Sequence, residues 1–188
     1  MGKPIPVYKI SEEVLTPSGV TTIDYKGKDP FRLYFKLSGL LQSVYHGRGK
    51  NIFERSFKWD VTSDPPEFFV EMWFDDWKFD KFTRPQIRVR MHGYQPSDPE
   101  KPNGICRVEI KVLLATEYNA RSAFEKAIAL PFVWLYHRLI YNEVRRRYMQ
   151  ILKERTHKLE VAIREEYGVP FEKEELSGGP PRLYKTVG

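Results

Sequence analysis

The chain has 188 residues and a formal net charge of +6, from 31 basic and 25 acidic residues, and 41% of its residues are hydrophobic. That hydrophobic share excludes an intrinsically disordered chain and is enough for the core of one domain. The single cysteine, Cys106, excludes an internal disulfide and a multi-cysteine metal site. No apolar run is as long as a membrane span, which needs about 18 residues. The N-terminus lacks the apolar core of a signal peptide. We therefore expect a cytoplasmic protein without a membrane partner.

Charged residues make up 30% of the chain, which has only four Asn and four Gln. This composition is typical of heat-adapted proteins and predicts a thermophilic source.

The first predicted elements are two strands and a helix. Residues 7–15 and 20–25 flank the turn sequence Thr16-Pro17-Ser18-Gly19 and are expected to form a β-hairpin. A helix is predicted over residues 30–45, with Asp29 as its N-cap and Pro30 in its first turn.

Four further strands are predicted over residues 52–61, 67–80, 86–92 and 105–114. Apolar and polar side chains alternate along them, which indicates an antiparallel sheet with one solvated face. A short helix over residues 120–130 leads into Pro131, which is expected to kink it.

The longest predicted element is a helix over residues 131–167, which ends at the stop signal formed by Gly168 and Pro170. Residues 132–141 are apolar nearly all round, as in a fully packed helix, whereas the remainder has one apolar stripe. Because the helix is much longer than a nine-residue strand, we expect its second half to project as an arm. The predicted organisation is a single α+β domain over residues 1–167, with helix 131–167 as the arm, and an extended tail over residues 168–188.

The element order ββαββββα resembles the helix-grip superfamily of START, Bet v 1 and polyketide-cyclase-like proteins. The resemblance covers about residues 7–148 and rests on element order, with one helix after the first strands where the family usually has two. It implies an antiparallel sheet wrapped on a long C-terminal α-helix. It also implies an apolar cavity for a hydrophobic small molecule or lipid, lined here by Phe57, Val70, Val108 and Leu135.

Basic residues predict a surface for RNA phosphates, whose binding weakens as salt rises. A solvated surface of ion pairs is the alternative, because glutamates are interleaved with the basic residues. The predicted contacts are Arg145, Arg146, Arg147, Lys153, Arg155, Lys158, Arg88, Arg90, Arg107, Lys111, Arg48, Lys50, Arg182 and Lys185. The apolar stripe of the arm, Tyr148, Leu152, Leu159 and Ile163, is expected to bind a protein partner or a second copy of the chain.

Candidate chemistry is sparse. The acidic run at residues 75–80 could ligate a hard cation but lacks EF-hand spacing, and a solvated turn is favoured. Arg55 lies on a predicted apolar face, where it could meet a ligand carboxylate or pair with a buried acid. The four histidines are scattered, and Cys106 points toward the core without a neighbouring base. We expect neither catalysis nor a cofactor.

The leading hypothesis is a non-catalytic RNA- or ribonucleoprotein-associated protein, conceivably ribosome-associated, that uses the arm and the tail. One alternative is a helix-grip carrier of a hydrophobic small molecule or lipid. Another is an adaptor that binds only proteins.

Overall fold

A computed structural model describes residues 5–75, 77–98, 100–120 and 123–170. The strands are β1 (Ile5–Glu13), β2 (Val20–Gly27), β3 (Ile52–Asp60), β4 (Glu67–Phe74), β5 (Thr83–Tyr94) and β6 (Gly104–Ala120). The helices are α1 (Arg32–Tyr45), α2 (Ala123–Tyr136) and α3 (Asn142–Tyr167), and a π-helical turn (His137–Tyr141) joins α2 to α3. The α+β class, the antiparallel sheet and the long C-terminal helix are confirmed.

The sheet has the strand order β1-β6-β5-β4-β3 and is antiparallel throughout. Strand β2 also pairs with β6, along residues 104–111, whereas β1 pairs with residues 113–120. The two N-terminal strands therefore follow one another along the same edge of β6, and the predicted hairpin between them is wrong. The 17-residue β6 is long enough to pair with both strands. The turn sequence at residues 16–19 lies in the connection between β1 and β2.

The core lies between one face of the sheet and the two helices α1 and α3. Alternate residues of β4, β5 and β6 face it, as the period-two pattern predicts, and Val70, Val89 and Val108 are fully buried. Helix α1 contributes Leu37 and Leu41. The sheet face opposite the helices carries the charged residues.

Helix α2, the π turn and α3 form one continuous helical rod, but the end expected to project is the packed end. Leu152, Leu159 and Ile163 are fully buried in the core, and Tyr148 packs at its margin. The prediction that this stripe is free to bind a partner is therefore wrong. A helix lying on one sheet face buries one stripe, and the stripe at residues 148–167 meets that requirement.

The all-round apolar end of the rod lies at the end of the sheet. Its large side chains remain exposed outside the core, including Phe132 and Leu139. Gly168 ends α3 as predicted: it adopts the left-handed conformation with φ 67°, and Val169 N–H donates to the Arg164 carbonyl.

Three local features differ from the sequence expectation. Strand β6 continues through residues 115–120, so the following helix begins later than expected. Pro131 lies inside α2 and does not open a new helix. A β-bulge at Arg55 turns its side chain away from the apolar face, and the guanidinium lies 5.2 Å from the centre of the Trp73 ring on the charged face.

The arrangement is compatible with a helix-grip-like fold. Within the described ranges, no helix is both long and apolar enough to cross a membrane.

Candidate ligand groove and interaction surfaces

A buried polar network joins the rod to the sheet. Arg145 is 1% exposed, and its guanidinium lies 2.6 Å from the Glu12 carboxylate. It also donates to the Leu114 carbonyl at 3.0 Å and to the Thr116 hydroxyl at 3.1 Å. The prediction that Arg145 contacts RNA is therefore wrong, because its side chain is buried and bound to partners inside the protein.

From Thr116, the hydrogen bonds continue through Thr83 and Tyr141 to Asp80. The distances are 2.9 Å from Thr116 to Thr83, 2.6 Å from Thr83 to Tyr141 and 2.6 Å from Tyr141 to Asp80. Each hydroxyl carries one proton, and Asp80 can only accept when ionised. The direction is therefore fixed: each hydroxyl donates to the next, from the cation Arg145 to the anion Asp80.

Asp80 is the anionic end of this chain. Burial raises the pKa of its carboxyl, but hydrogen bonds from Tyr141, the backbone N–H groups of Phe82 and Thr83, and Tyr148 outweigh burial and hold the pKa below its usual value. Tyr148 donates to Asp80 at 3.0 Å and stacks on Phe79, so it stabilises the fold and is not a free partner residue.

Beside this network, an apolar groove runs between α2 and the ends of β1 and β6. Its volume is about 380 Å³, within the range of about 300–1,000 Å³ typical of small-ligand sites. The lining residues are mostly aromatic or aliphatic: Val7, Phe82, Tyr118, Asn119, Ala120, Glu125, Ala129, Phe132, Val133 and Tyr136. The lining carboxylate lies on the first turn of α2. A larger depression of about 540 Å³ lies on the outer sheet face, but charges of both signs line it.

A smaller cationic pocket of about 160 Å³ borders the groove across the end of the sheet, and the two share Phe82 and Asn119 as lining residues. Three cations line that pocket, Lys78, Lys81 and Arg84, against the one carboxylate of Glu117. The apolar groove therefore has a group of cations beside one end.

A buried polar atom in the groove wall lacks a partner. Tyr118 is 5% exposed, and its hydroxyl makes no hydrogen bond within the described part of the chain. Burial raises the pKa of Tyr118 well above its usual value, so this hydroxyl is a neutral donor. Nearby, the Nδ1 atom of buried His137 is also unpartnered among the described residues, and burial, followed by the charge of Arg145, lowers the pKa of this imidazole.

The groove is not the ligand cavity expected from the sequence. Val70 and Val108 are packed in the filled core, Phe57 is half-exposed beside Phe31, and Leu135 faces away from the body of the protein. These residues do not line one cavity, so that prediction is wrong. Continuing the period-two pattern of β6 through Thr116, Tyr118 and Ala120 would have identified the groove wall.

The predicted basic residues of the sheet do lie together on its outer face. Arg88 pairs in register with Lys111, and Arg90 with Glu109. Arg90 is 2.8 Å from Glu71, Arg107 is 2.6 Å from Asp24, and Lys111 pairs with Glu13. Arg88 lies 4.3 Å from the centre of the Trp73 ring. The outer face is therefore largely a network of ion pairs, as the alternative interpretation predicts.

A second group of predicted cations is exposed on α3 and the loop after α1. Within the described residues, no ion pair involves Arg146, Lys153, Lys158, Arg48 or Lys50, whereas Arg147 lies 3.8 Å from Glu143. Arg155 is half-buried: it donates to the Tyr45 carbonyl and covers Trp77. The predicted contacts Arg182 and Lys185 lie outside the described residues, as do residues 171–188 of the predicted tail.

The remaining candidates have structural surroundings. Asp75 accepts a hydrogen bond from Gln86 at 3.1 Å, and Asp76 lies outside the described residues. Among the described side chains, no cluster of three or more His, Cys, Asp or Glu residues could hold a metal ion. Cys106 is a buried free thiol, and burial raises its pKa to about 12.

No family model and no curated protein matches this chain. Among solved structures, it is similar to the protein of unknown function SA2116 from Staphylococcus aureus, with 9% identity and a TM-score of 0.21, over 84% of this chain and 99% of that one. A similarity this low carries no argument about fold or function.

Proposed function

We propose that this protein is a binding protein for single-chain amphiphiles with an anionic head group, such as fatty acids. The observation that carries the proposal is the apolar groove beneath α2 and the adjoining pocket of Lys78, Lys81 and Arg84, with which it shares Phe82 and Asn119. The apolar trough would take the hydrocarbon chain, because burial of each methylene contributes about 0.8 kcal/mol. The cations would take the head group.

The Tyr118 hydroxyl is a second feature of the groove wall. A buried donor without an acceptor costs about 1–3 kcal/mol, so such groups are rare in folded proteins. Because the hydroxyl oxygen itself is buried, a ligand oxygen would reach it only together with a shift of the Tyr118 side chain.

The proposal is tested with two probes of equal chain length and opposite charge, dodecanoate and dodecyltrimethylammonium, each below its micelle concentration. Isothermal titration calorimetry should show one dodecanoate bound per chain and weaker binding of the cationic probe. The double variant Lys81→Glu and Arg84→Glu should remove this preference, because it inverts the charge of the pocket.

A matched pair of helix substitutions tests the location. Ala129 lines the groove, whereas Ala127, two residues earlier on the same helix, is exposed. Ala129→Leu should weaken dodecanoate binding about tenfold by displacing about two chain methylenes, and Ala127→Leu should leave it unchanged. Equal effects of the two substitutions, or equal binding of the two probes, would reject the proposal.

RNA or ribonucleoprotein association is the second candidate, favoured by the exposed cations of α3 and the loop after α1. Lys153→Glu with Lys158→Glu should weaken RNA retention and flatten its salt dependence, because each lost phosphate contact reduces the salt slope by about one. Arg107→Glu is the comparison, since that residue is already paired with Asp24. Retention that is unchanged in the double variant across a salt series would exclude this candidate.

A further inference from the structure

Helix α2 and the π turn expose a continuous row of large apolar side chains. Phe124 is 76% exposed and Leu139 70% exposed, and Ile128, Phe132 and Leu135 lie between them. The spacing of four, four, three and four residues places all five on one side, which we call the exposed apolar face. The opposite side of the helix carries Ala129, Val133 and Tyr141, which pack against Val7, Tyr118 and Ala120.

The residues that flank this face are apolar as well. Leu130 and Trp134 lie on one side of it and Tyr136 and Ile140 on the other, and all four are exposed. A partner helix in a coiled coil would cover only a narrow seam of two positions per heptad, over three or more heptads. A broad apolar arc only five turns long fits a hydrocarbon phase better than a partner helix.

Polar groups at the edges of the arc fit the boundary between hydrocarbon and lipid head groups. Tryptophan and tyrosine are enriched at that boundary because each combines an apolar ring with a hydrogen-bonding group. Arg138 lies 5.3 Å from the centre of the Trp134 ring, with an aliphatic stem that allows its charge to reach the head groups.

The charges around the arc are complementary to an anionic surface. Lys78, Lys81 and Arg84 lie on the groove side, and Arg146, exposed and without a carboxylate partner among the described residues, follows the π turn. Asp60, at the end of β3, and Asp64, in the turn before Glu67, lie at the other end of the sheet, because Glu67 pairs with Tyr94 whereas Thr83 pairs with Thr116. At the α2 end, Asp80 is held by Tyr141 and Tyr148, and two further carboxylates, Glu117 and Glu125, line the pocket and the groove. The three cations of the pocket and Arg146 outnumber these two carboxylates, which favours contact of this end with an anionic surface.

We propose that the exposed apolar face docks on anionic lipid bilayers, with α2 lying in the plane of the interface. The orientation follows from the packing, because the opposite side of α2 is attached to the body. The apolar side chains enter the outer part of the hydrocarbon layer, and the cations remain at the level of the phosphates. This goes beyond amphiphile binding in the groove and does not depend on it. It departs from the expectation of no membrane partner, which rested on the lack of an apolar run long enough to span a bilayer.

The test is flotation of the full-length protein with phosphatidylcholine vesicles, prepared with and without phosphatidylserine. The wild-type protein should float with the anionic vesicles, and added salt should reduce the bound fraction. Phe124→Ser and Leu139→Ser should each weaken binding about tenfold, since each removes a large apolar side chain from the hydrocarbon. Neither residue lines the groove, so both variants should retain dodecanoate binding.

Phe35→Ser is the matched control. Phe35 is 75% exposed, as Phe124 is, but it lies on α1, so its loss should leave flotation unchanged. Quenching of tryptophan fluorescence by lipids brominated in their acyl chains gives a second measurement. Trp134→Phe should remove most of this quenching, because Trp134 is the tryptophan on the docking side.

Equal loss of flotation in Phe35→Ser and Phe124→Ser would overturn the proposal. So would a wild-type dimer in sedimentation that becomes monomeric in Leu139→Ser and shows no flotation, because a second copy would then cover the face. Ala129→Leu should retain flotation while binding dodecanoate about tenfold more weakly, so failure of the groove and failure of the docking face are distinguishable.

Discussion

Arg145 and Arg146 are adjacent residues with opposite surroundings. Arg145 is buried against Glu12, Thr116 and the Leu114 carbonyl, whereas Arg146 is exposed. We predict that Arg145→Ala lowers the free energy of unfolding by about 2–4 kcal/mol, because it leaves buried acceptors unsatisfied and creates a cavity. Arg146→Ala should change it by less than about 0.5 kcal/mol. Urea denaturation of both variants measures the difference, and similar values would contradict the assignment of Arg145 to the core.

The Asp80 carboxylate predicts a pH dependence of stability. Its pKa in the folded protein is below the unfolded value of about 3.9, so folding favours the ionised form. This contribution is fully present above the unfolded pKa and is lost as the pH falls through the folded pKa. We therefore predict that Asp80→Asn unfolds more readily than the wild type near neutral pH, and that the difference between them shrinks in acid.

Thermal melts of both proteins at neutral pH and below the unfolded pKa of Asp80 would test this. Asp60→Asn is a suitable comparison: the pKa of that carboxyl is also lowered, by the side chain and then the backbone of Thr62, but it lies at the exposed end of β3, outside the buried network. A difference between wild type and Asp80→Asn that stays constant with pH would contradict the hydrogen-bonded chain ending at Asp80.

At the scale of the element, α1 contains a glycine for which the structure shows no packing requirement. Apart from the backbone of its own helix and its chain neighbours, a Cβ atom added at Gly39 would meet no atom of the described residues within 4 Å. Gly39→Ala should therefore raise the free energy of unfolding by about 1 kcal/mol, since alanine loses less backbone entropy in a helix. At Gly93 the added Cβ would collide with the Ile105 carbonyl of the neighbouring strand, so Gly93→Ala should destabilise the protein. Denaturant midpoints of the two variants should shift in opposite directions.

The sheet was predictable from sequence to the extent that its residues alternate. The inward residues of β4, β5 and β6 follow from period two, whereas in β3 the bulge at Arg55 shifts the alternation by one residue. The pairing of both β1 and β2 with β6 depends on the length of β6, which the local turn sequence at residues 16–19 does not reveal.

For the helical rod, the sequence alone does not determine whether its all-round apolar half is buried or exposed. An all-round apolar helix is compatible both with a protein interior and with a lipid or partner surface, so composition alone does not choose between them. In the structure, α1 and the one-sided stripe of α3 already cover the inner face of the sheet. Helix α2 therefore lies at the end of the sheet, outside the core. The cationic pocket and the groove are lined by residues 78–84 and 118–136, which lie far apart in the sequence. No local sequence pattern predicts that these segments lie close together.

For the whole molecule, the C-terminal half of the rod closes the core. Beyond Tyr148, α3 buries Leu152, Leu159, Ile163 and Tyr167, and Tyr167 donates a hydrogen bond to the Pro30 carbonyl at 2.6 Å. Four buried side chains at about 1.5–3 kcal/mol each amount to about 6–12 kcal/mol, comparable to the total stability of a typical domain. A chain that ends at Tyr148 should therefore fail to fold.

The reference for this prediction is a chain that ends at Pro170, which retains every described contact of α3. Near-UV circular dichroism and urea denaturation should show fixed aromatic packing and a cooperative transition in the longer chain, and neither in the shorter one. If residues 149–167 were instead a projecting arm, both chains would unfold at the same midpoint. That outcome would mean that the core closes without residues 149–167 of α3, and the orientation of the exposed apolar face relative to the sheet would then be wrong.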